Sequence, residues 1–329
     1  MKLQQLRYAL EVLRHDLNVS ATAQALFTSQ PGISKQIRLL EDELGVELFT
    51  RSGKHLTQVT PAGGDILQVV AQMMQQVEQI RQLAQEHRAP DEGVLSLATT
   101  HTQARYVLPP VIADFMIRYP KVSLQLQQGT PLQIAEMAAK GEVQMAIATE
   151  GLEHFRDLVM LPCYRWNRTL VVPQGHPLTT LNEVSLADVA AYPLVTYVFG
   201  FTGRSQLDDA FRHADLAPKT AFTAADADVI KTYVRLGLGV GIIAQLAYDP
   251  KEDADLVAID AHHLFAPSTT YVGLRRGTFM RQFMLEFMQG FAPHLSAERV
   301  QAAMQLSPAQ DAAELWQDVV LPDRPSGTA

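Results

Sequence analysis

The sequence predicts a multidomain α/β chain with a small helical module, one long helix, and a larger region where strands and helices alternate. Three patterns carry this reading. Apolar residues recur at helical spacing from Leu3 to Leu44, one helical period runs from Pro61 to about His87, and short β-branched runs alternate with helical stretches from Val94 to Ile243. At 329 residues the chain exceeds what one core usually organises, and its 47% apolar content supplies surface for several.

Leu3, Leu6, Leu10 and Leu13 place an amphipathic helix at about 3–14. Ser20 is read as the N-cap of a short second helix ending near Leu26, and Phe27-Thr28 as a turn. Pro31 suits the first turn of a third helix with the stripe Ile33, Ile37, Leu40 and Leu44. On a 3.6-residue wheel Pro31, Ser34, Lys35 and Arg38 fall opposite that stripe. A DNA major groove admits such a polar, cationic face; a small bundle with a solvated face is the other reading of the periodicity.

Leu48 to Thr57 reads as two short strands around Ser52-Gly53, a wing that carries Arg51, Lys54 and His55. Thr60-Pro61 then caps the long helix. Its stripe of Ile66, Val70, Met73, Val77, Ile80 and Ala84 predicts coverage by a second copy, with packing on its own domain as the alternative. The expected divisions are 1–60, 61–90, 91–295 and a tail, 296–329, whose Leu306, Leu315, Trp316 and Val319 pack on this chain or another. The last eight residues read as disordered.

The net charge of −8 repels phosphate at long range, but residues 1–60 hold seven Lys/Arg against six Asp/Glu, so the acidic excess lies further along. No apolar run of about 20 residues occurs and Met1–Arg7 lacks a signal-peptide core, so a cytoplasmic chain without a membrane partner is expected. The lone Cys163 excludes an intramolecular disulfide and a cysteine-rich zinc site, and reads as a buried thiol.

Strand-like runs at Val94–Ala98, Val122–Leu126, Met145–Ala148, Thr169–Val172, Leu194–Tyr197 and Val240–Ile243 alternate with helices near Ile134–Lys140, Ser205–Arg212 and Val229–Leu236. Mainly parallel sheets are expected, with ligands beyond the strand carboxyl ends. Hydroxyls recur there at Thr99, Thr100, Thr102, Thr149 and Thr202. Each alone suits a helix cap; together they suit an anion held by hydroxyls and backbone N–H groups.

The stretch Thr28-Ser-Gln-Pro-Gly-Ile-Ser-Lys-Gln-Ile-Arg38, followed by Leu40-Glu41, Leu44-Gly45, Leu48-Phe-Thr-Arg51 and Thr60-Pro-Ala-Gly63, resembles the winged helix-turn-helix signature of LysR-type regulators. The resemblance implies promoter DNA as partner, with Ser29, Gln30, Pro31, Ser34, Lys35, Arg38, Arg51 and Lys54 on the DNA side. It also implies a homodimer or homotetramer, RNA polymerase as a partner, and a two-subdomain effector domain like periplasmic binding proteins. Ala98–Tyr106, Leu161–Arg168, Tyr197–Ser205 and Asp226–Gly241 further resemble the CysB type, which activates cysteine biosynthesis and sulfur assimilation. That type implies N-acetylserine as inducer and sulfur anions such as sulfate and thiosulfate as antagonists, with Thr100, Thr102, Gln103, Thr149, Trp166 and Thr202 as contacts. Val198 departs from the threonine expected there and alters that wall. A paralogous regulator of sulfonate or taurine use shares many of these motifs.

Enzyme readings are weaker. Asp226 and Asp228 suit capping and ion pairing better than acid–base work. The adjacent His262 and His263 point apart, against a metal site, and Gly237, Gly239 and Gly241 follow a helix, the reverse of a dinucleotide loop. No cofactor, metal or catalytic residue is therefore expected. A solute-binding protein and an enzyme with an unrecognised site remain as alternatives.

Overall fold

A computed structural model describes residues 1–53, 55–201, 203–306 and 312–324, so the assignments of Lys54, Thr202 and the last five residues lie outside the described residues. The chain forms two compact units, Met1–Gln85 and Glu86–Ala329.

In the first unit α1 spans Leu3–Arg14, α2 Val19–Ala25 and α3 Gln30–Leu44. Their core joins Leu6, Ala9, Leu10, Val12, Ile33, Ile37 and Leu40. Leu3 and Leu13 stay exposed because they sit at the helix ends, where the small core does not reach. The cap of α2 is Asn18 rather than Ser20: its side chain accepts from Ala21 N at 3.0 Å, which starts the helix earlier and leaves Ser20 inside it, exposed. Strands β1 (Phe49–Ser52) and β2 (His55–Val59) pair antiparallel as the wing.

Helix α4, Pro61–Arg88, starts at Thr60, whose hydroxyl accepts from Gly63 N at 2.9 Å and donates to Glu47 O at 2.6 Å. Gly63 is required here, since a Cβ would lie 2.1 Å from Leu48 O. The expected stripe divides. Leu67 and Val70 are buried in the unit's own core with Ile66 and Met74 against it, whereas Val69, Met73, Ile80 and Leu83 are exposed. Val70 thus packs on its own domain, because the first turns of α4 cover the α1–α3 core.

In the second unit the chain runs β3 (Gly93–Thr99), α5 (His101–Tyr106), α6 (Leu108–Arg118), β4 (Val122–Gln128), α7 (Pro131–Lys140), β5 (Met145–Ala148) and β6 (Leu158–Trp166). It crosses to β7 (Arg168–Pro173), α8 (Leu186–Ala190), β8 (Leu194–Tyr197), α9 (Arg204–His213), β9 (Thr220–Ala224), α10 (Ala227–Arg235), β10 (Val240–Ala244) and β11 (Leu256–Asp260). It returns through β12 (Ser268–Arg275), α11 (Gln282–Phe291) and α12 (Ala297–Gln305).

Two five-stranded sheets result, ordered β4-β3-β5-β12-β6 and β11-β7-β10-β8-β9. Each is mixed rather than mainly parallel: β6 and β12 pair antiparallel in the first, β7 pairs antiparallel with β10 and β11 in the second. The cause is the double crossing. The strands that leave one subdomain and return to it run against the βα repeats. Asn167 alone separates β6 from β7, and its side chain donates to the carbonyls of His262 (3.2 Å) and Phe265 (3.0 Å) on the return crossing, so the two crossings are held together.

Val300 and Ala303 of α12 are buried in the first subdomain's core, with Leu315 and Trp316 packed against it. Residues 322–324 do not behave as the disordered end expected of them. Arg165 N donates to Pro322 O and Arg324 N to Arg165 O, both at 2.9 Å, so this segment pairs with the edge strand β6.

Candidate functional sites

The amino-terminal face is built on α3. Ser29 caps it by accepting from Gly32 N at 3.3 Å, and Pro31 sits in the first turn, where its missing N–H has no intrahelical role. Ile33, Ile37 and Leu40 fix the inner face, which turns Pro31, Lys35 and Arg38 outward and exposed. Gln30 donates to Ser34 Oγ at 3.3 Å, placing both polar side chains along the same edge. Among the described residues neither Lys35 nor Arg38 enters an ion pair within the unit, so both cations are available to an outside partner.

Arg51 is placed differently. Its guanidinium pairs with the buried carboxylate of Glu41, whose other oxygen accepts from Leu48 N at 2.9 Å and Phe49 N at 3.2 Å. Glu41 thereby ties the end of α3 to the start of the wing. Sequence reasoning assigned it no role, although a carboxylate one position after Leu40, on the buried side of the helix, was the available signal.

In the second unit Thr100, Thr102, Gln103, Thr149 and Trp166 line one narrow crevice with Glu150, closed by Ala244 and Leu246 from the other subdomain. Thr100 precedes α5 without a side-chain capping bond, so capping does not account for its hydroxyl. Gln103 Nε2 donates to Thr270 Oγ1 at 3.4 Å, and Tyr164 OH donates to Gln103 Oε1. Trp166 Nε1 donates to Thr149 Oγ1 at 3.2 Å. The first-turn N–H groups of α5, the helix that carries Thr102 and Gln103, have no intrahelical acceptors.

Among the described residues no Lys or Arg lines this crevice, and Glu150 is its charged group. Burial pushes that carboxyl above its usual range, against the pull of the Gly203 N–H that it accepts at 2.9 Å. Arg168 lies behind it, 2% exposed, donating to Gly203 O (2.7 Å), Ala266 O (3.2 Å) and Ser268 Oγ (3.3 Å). Burial lowers its pKa to about 10. Gly203, at φ +67°, must be glycine, because a Cβ would fall 2.1 Å from Arg168 Nη2. Sequence reasoning missed Glu150, Arg168, Tyr164 and Thr270. Glu150 followed an assigned threonine and was within reach; the others depend on the crossings.

The far side of α5 faces α10. Asp228 accepts from Tyr106 OH at 2.6 Å and pairs with Arg105 at 3.0 Å, while the buried Lys231 donates to Tyr106 OH at 3.1 Å and Asp253 at 2.8 Å. Asp226 caps α10 through Val229 N. His101, Asp226 and Asp228 bring ligand atoms within 4.8 Å, but Arg105 and Lys231 already supply the positive charge. Cys163 is buried, and burial pushes its thiol far above the usual range, so it is chemically quiet.

Residues 3–64 match the bacterial regulatory helix-turn-helix, lysR family, and residues 88–296 match the LysR substrate binding domain. The chain is 50% identical to the HTH-type transcriptional regulator CysB of Haemophilus influenzae, over 98% of this chain and 99% of that one. It is 49% identical to the HTH-type transcriptional regulator SsuR of Burkholderia cenocepacia, over 91% and 97%. A crystal structure of the cofactor-binding domain of the Cbl transcriptional regulator is 43% identical, covers 65% of this chain and 95% of that one, and superposes with a TM-score of 0.63.

Proposed function

This chain belongs to the LysR family of transcriptional regulators, and from that premise we propose that it activates promoters of cysteine biosynthesis and sulfur assimilation genes in the cytoplasm. N-acetylserine is the inducer, and sulfate and thiosulfate are antagonists in the same crevice. Lys35 and Arg38 meet the DNA, with Ser29, Gln30, Pro31 and Ser34 along the groove edge. The exposed stripe of Met73, Ile80 and Leu83, continued by Val77, is covered by α4 of a second copy, giving a dimer and on promoters a tetramer that engages RNA polymerase.

One observation carries the effector reading: Thr100, Thr102, Gln103, Thr149 and Trp166, drawn from three separated segments, line one crevice whose donors are neutral. A carboxylate or sulfur oxyanion suits the N–H and hydroxyl end. Glu150 suits a ligand that also offers a donor, as the amide N–H of N-acetylserine does. Calorimetry with N-acetylserine, sulfate and thiosulfate tests it: binding that weakens in Thr102→Ala and Gln103→Ala supports the reading, and equal affinities throughout reduce this turn to a helix start.

A second reading, control of sulfonate or taurine genes, has support in the nearly equal identity, 50% and 49%, to two differently named regulators. Footprinting on upstream DNA of both gene classes separates them.

A further inference from the structure

We propose that the carboxy-terminal segment 322–324 is a positioning element of the effector crevice, acting through Arg324 on Tyr164 and through Tyr164 on Gln103. This rests on the crevice being the effector site.

The segment is fastened to β6 at Arg165. Two main-chain hydrogen bonds of 2.9 Å join it to Arg165, and the Arg165 guanidinium pairs with Asp323 at 3.1 and 3.4 Å. Side chains alternate along β6, so Arg165 faces the tail while Tyr164 and Trp166, on the opposite face, are both buried. Pairing at Arg165 therefore fixes the backbone between two residues that reach the crevice wall.

Arg324 then turns inward. Its guanidinium carbon lies 4.6 Å from the Tyr164 ring centroid and 5.6 Å from that of Phe291, and Nη2 donates to Phe291 O at 3.1 Å. The two rings meet edge to face with centroids 5.8 Å apart, so the cation clamps a preformed pair.

Tyr164 is fully buried, and its hydroxyl donates to Gln103 Oε1. Tyr164 OH and Thr270 Oγ1 thus hold the two ends of the Gln103 amide. With Oε1 accepting from Tyr164 and the NH₂ group donating to Thr270, the side chain is held at both ends where it lines the crevice, so its polar groups meet a carboxylate or oxyanion in a fixed position. Without the Tyr164 hydroxyl the amide keeps only Thr270, a hydroxyl that can donate or accept, so it is free to rotate or flip and can present an oxygen to the anion. A positive charge over the ring also makes the phenol a better donor. The tail, which is not among the residues lining the crevice, thus steadies a hydrogen-bonding group inside it.

The test titrates the full chain with sodium sulfate and with N-acetylserine by calorimetry, alongside Gln103→Ala, Arg324→Ala, Arg324→Lys, Tyr164→Phe and the Tyr164→Phe/Arg324→Ala double variant. Arg324→Ala is expected to weaken binding roughly three- to tenfold, the range of a partly buried cation–π contact. Tyr164→Phe, which keeps the ring and the core, should weaken it at least as much. Arg324→Lys should recover part of the loss, and Arg324→Ala should add less than about twofold once Tyr164 is Phe, the signature of one coupled route. Unchanged affinity in Arg324→Ala beside a weakened Gln103→Ala overturns the role of the tail and leaves the crevice reading intact. Unchanged affinity in Gln103→Ala overturns both. A full Arg324→Ala effect in the Tyr164→Phe background shows general packing and overturns the proposed route.

Discussion

The two units use opposite means to prepare a site. On α3 the inner face is locked by Ile33, Ile37 and Leu40, and the outer face is left bare, with Lys35 and Arg38 exposed and unpaired within the described unit. In the crevice the polar residues are buried and engaged with one another, Tyr164 with Gln103, Gln103 with Thr270, Trp166 with Thr149. A face of exposed cations binds by counterion release and is sensitive to salt. A buried net of neutral donors binds by geometry, and depends on which atom each side chain presents. Damage to the first should scale with charge, damage to the second with orientation.

The largest effect is expected where the first unit departs from its own pattern, at Glu41. Glu41→Ala leaves the N–H groups of Leu48 and Phe49 without their acceptor and Arg51 without its partner, so the unit should lose about 3–5 kcal/mol. Thermal unfolding measures this; a variant as stable as the parent removes the wing anchor from the account. Arg51→Ala should do less, about 1.5–3 kcal/mol, because the backbone bonds survive.

Next comes the seam on α4. Val77→Glu and Ile80→Glu put a charge where a second copy is expected, whereas Val70→Glu unfolds the unit's own core instead. Light scattering should show dissociation for the first two with helicity kept, and an intact oligomer in both cases breaks the model.

Lys35→Ala and Arg38→Ala should each weaken promoter DNA by about 1–3 kcal/mol if they read bases, and lower the salt slope by about one if they hold phosphate. Measured across a salt series, no change in affinity or slope would relieve α3 of its assigned face. Effector affinity should not move in either variant.

The smallest expected effect sharpens the contrast by pH. An ionised Glu150 opposes an anion in a crevice that no cation lines among the described residues, and burial has raised its pKa. Sulfate stays ionised throughout, so its affinity should be greatest below Glu150's raised pKa and fall as pH rises through it. Glu150→Gln should flatten the curve. A dependence that persists in Glu150→Gln assigns it to another group.

Much of this was legible in order along the chain. Local periodicity fixes α1, α3 and the start of α4, and strand exits bring Thr100, Thr102, Gln103 and Thr149 to notice, because each signal spans a few residues. What escaped lies in contacts across long separations. Arg168 has meaning only once β6 and β7 lie in different sheets, Tyr164 only once it meets Gln103, and Arg324 only once residues 322–324 pair with β6. Glu41 escaped for another reason: within an apolar stripe that continues to Leu44, nothing in the sequence shows that a carboxylate will be buried under the backbone donors of Leu48 and Phe49.

The central claim is that effector binding in the crevice, and not at the α3 face, changes how the chain sits on DNA. A ligand can shift that arrangement only by binding two states unequally. The direct measurement is a footprint on upstream DNA of a cysteine biosynthesis operon, with N-acetylserine titrated against the wild type and Gln103→Ala at one fixed salt concentration. The account predicts the same footprint for both without ligand, a changed pattern in the wild type as N-acetylserine rises, and a response in Gln103→Ala displaced to roughly tenfold higher concentration. An identical response in both proteins contradicts it.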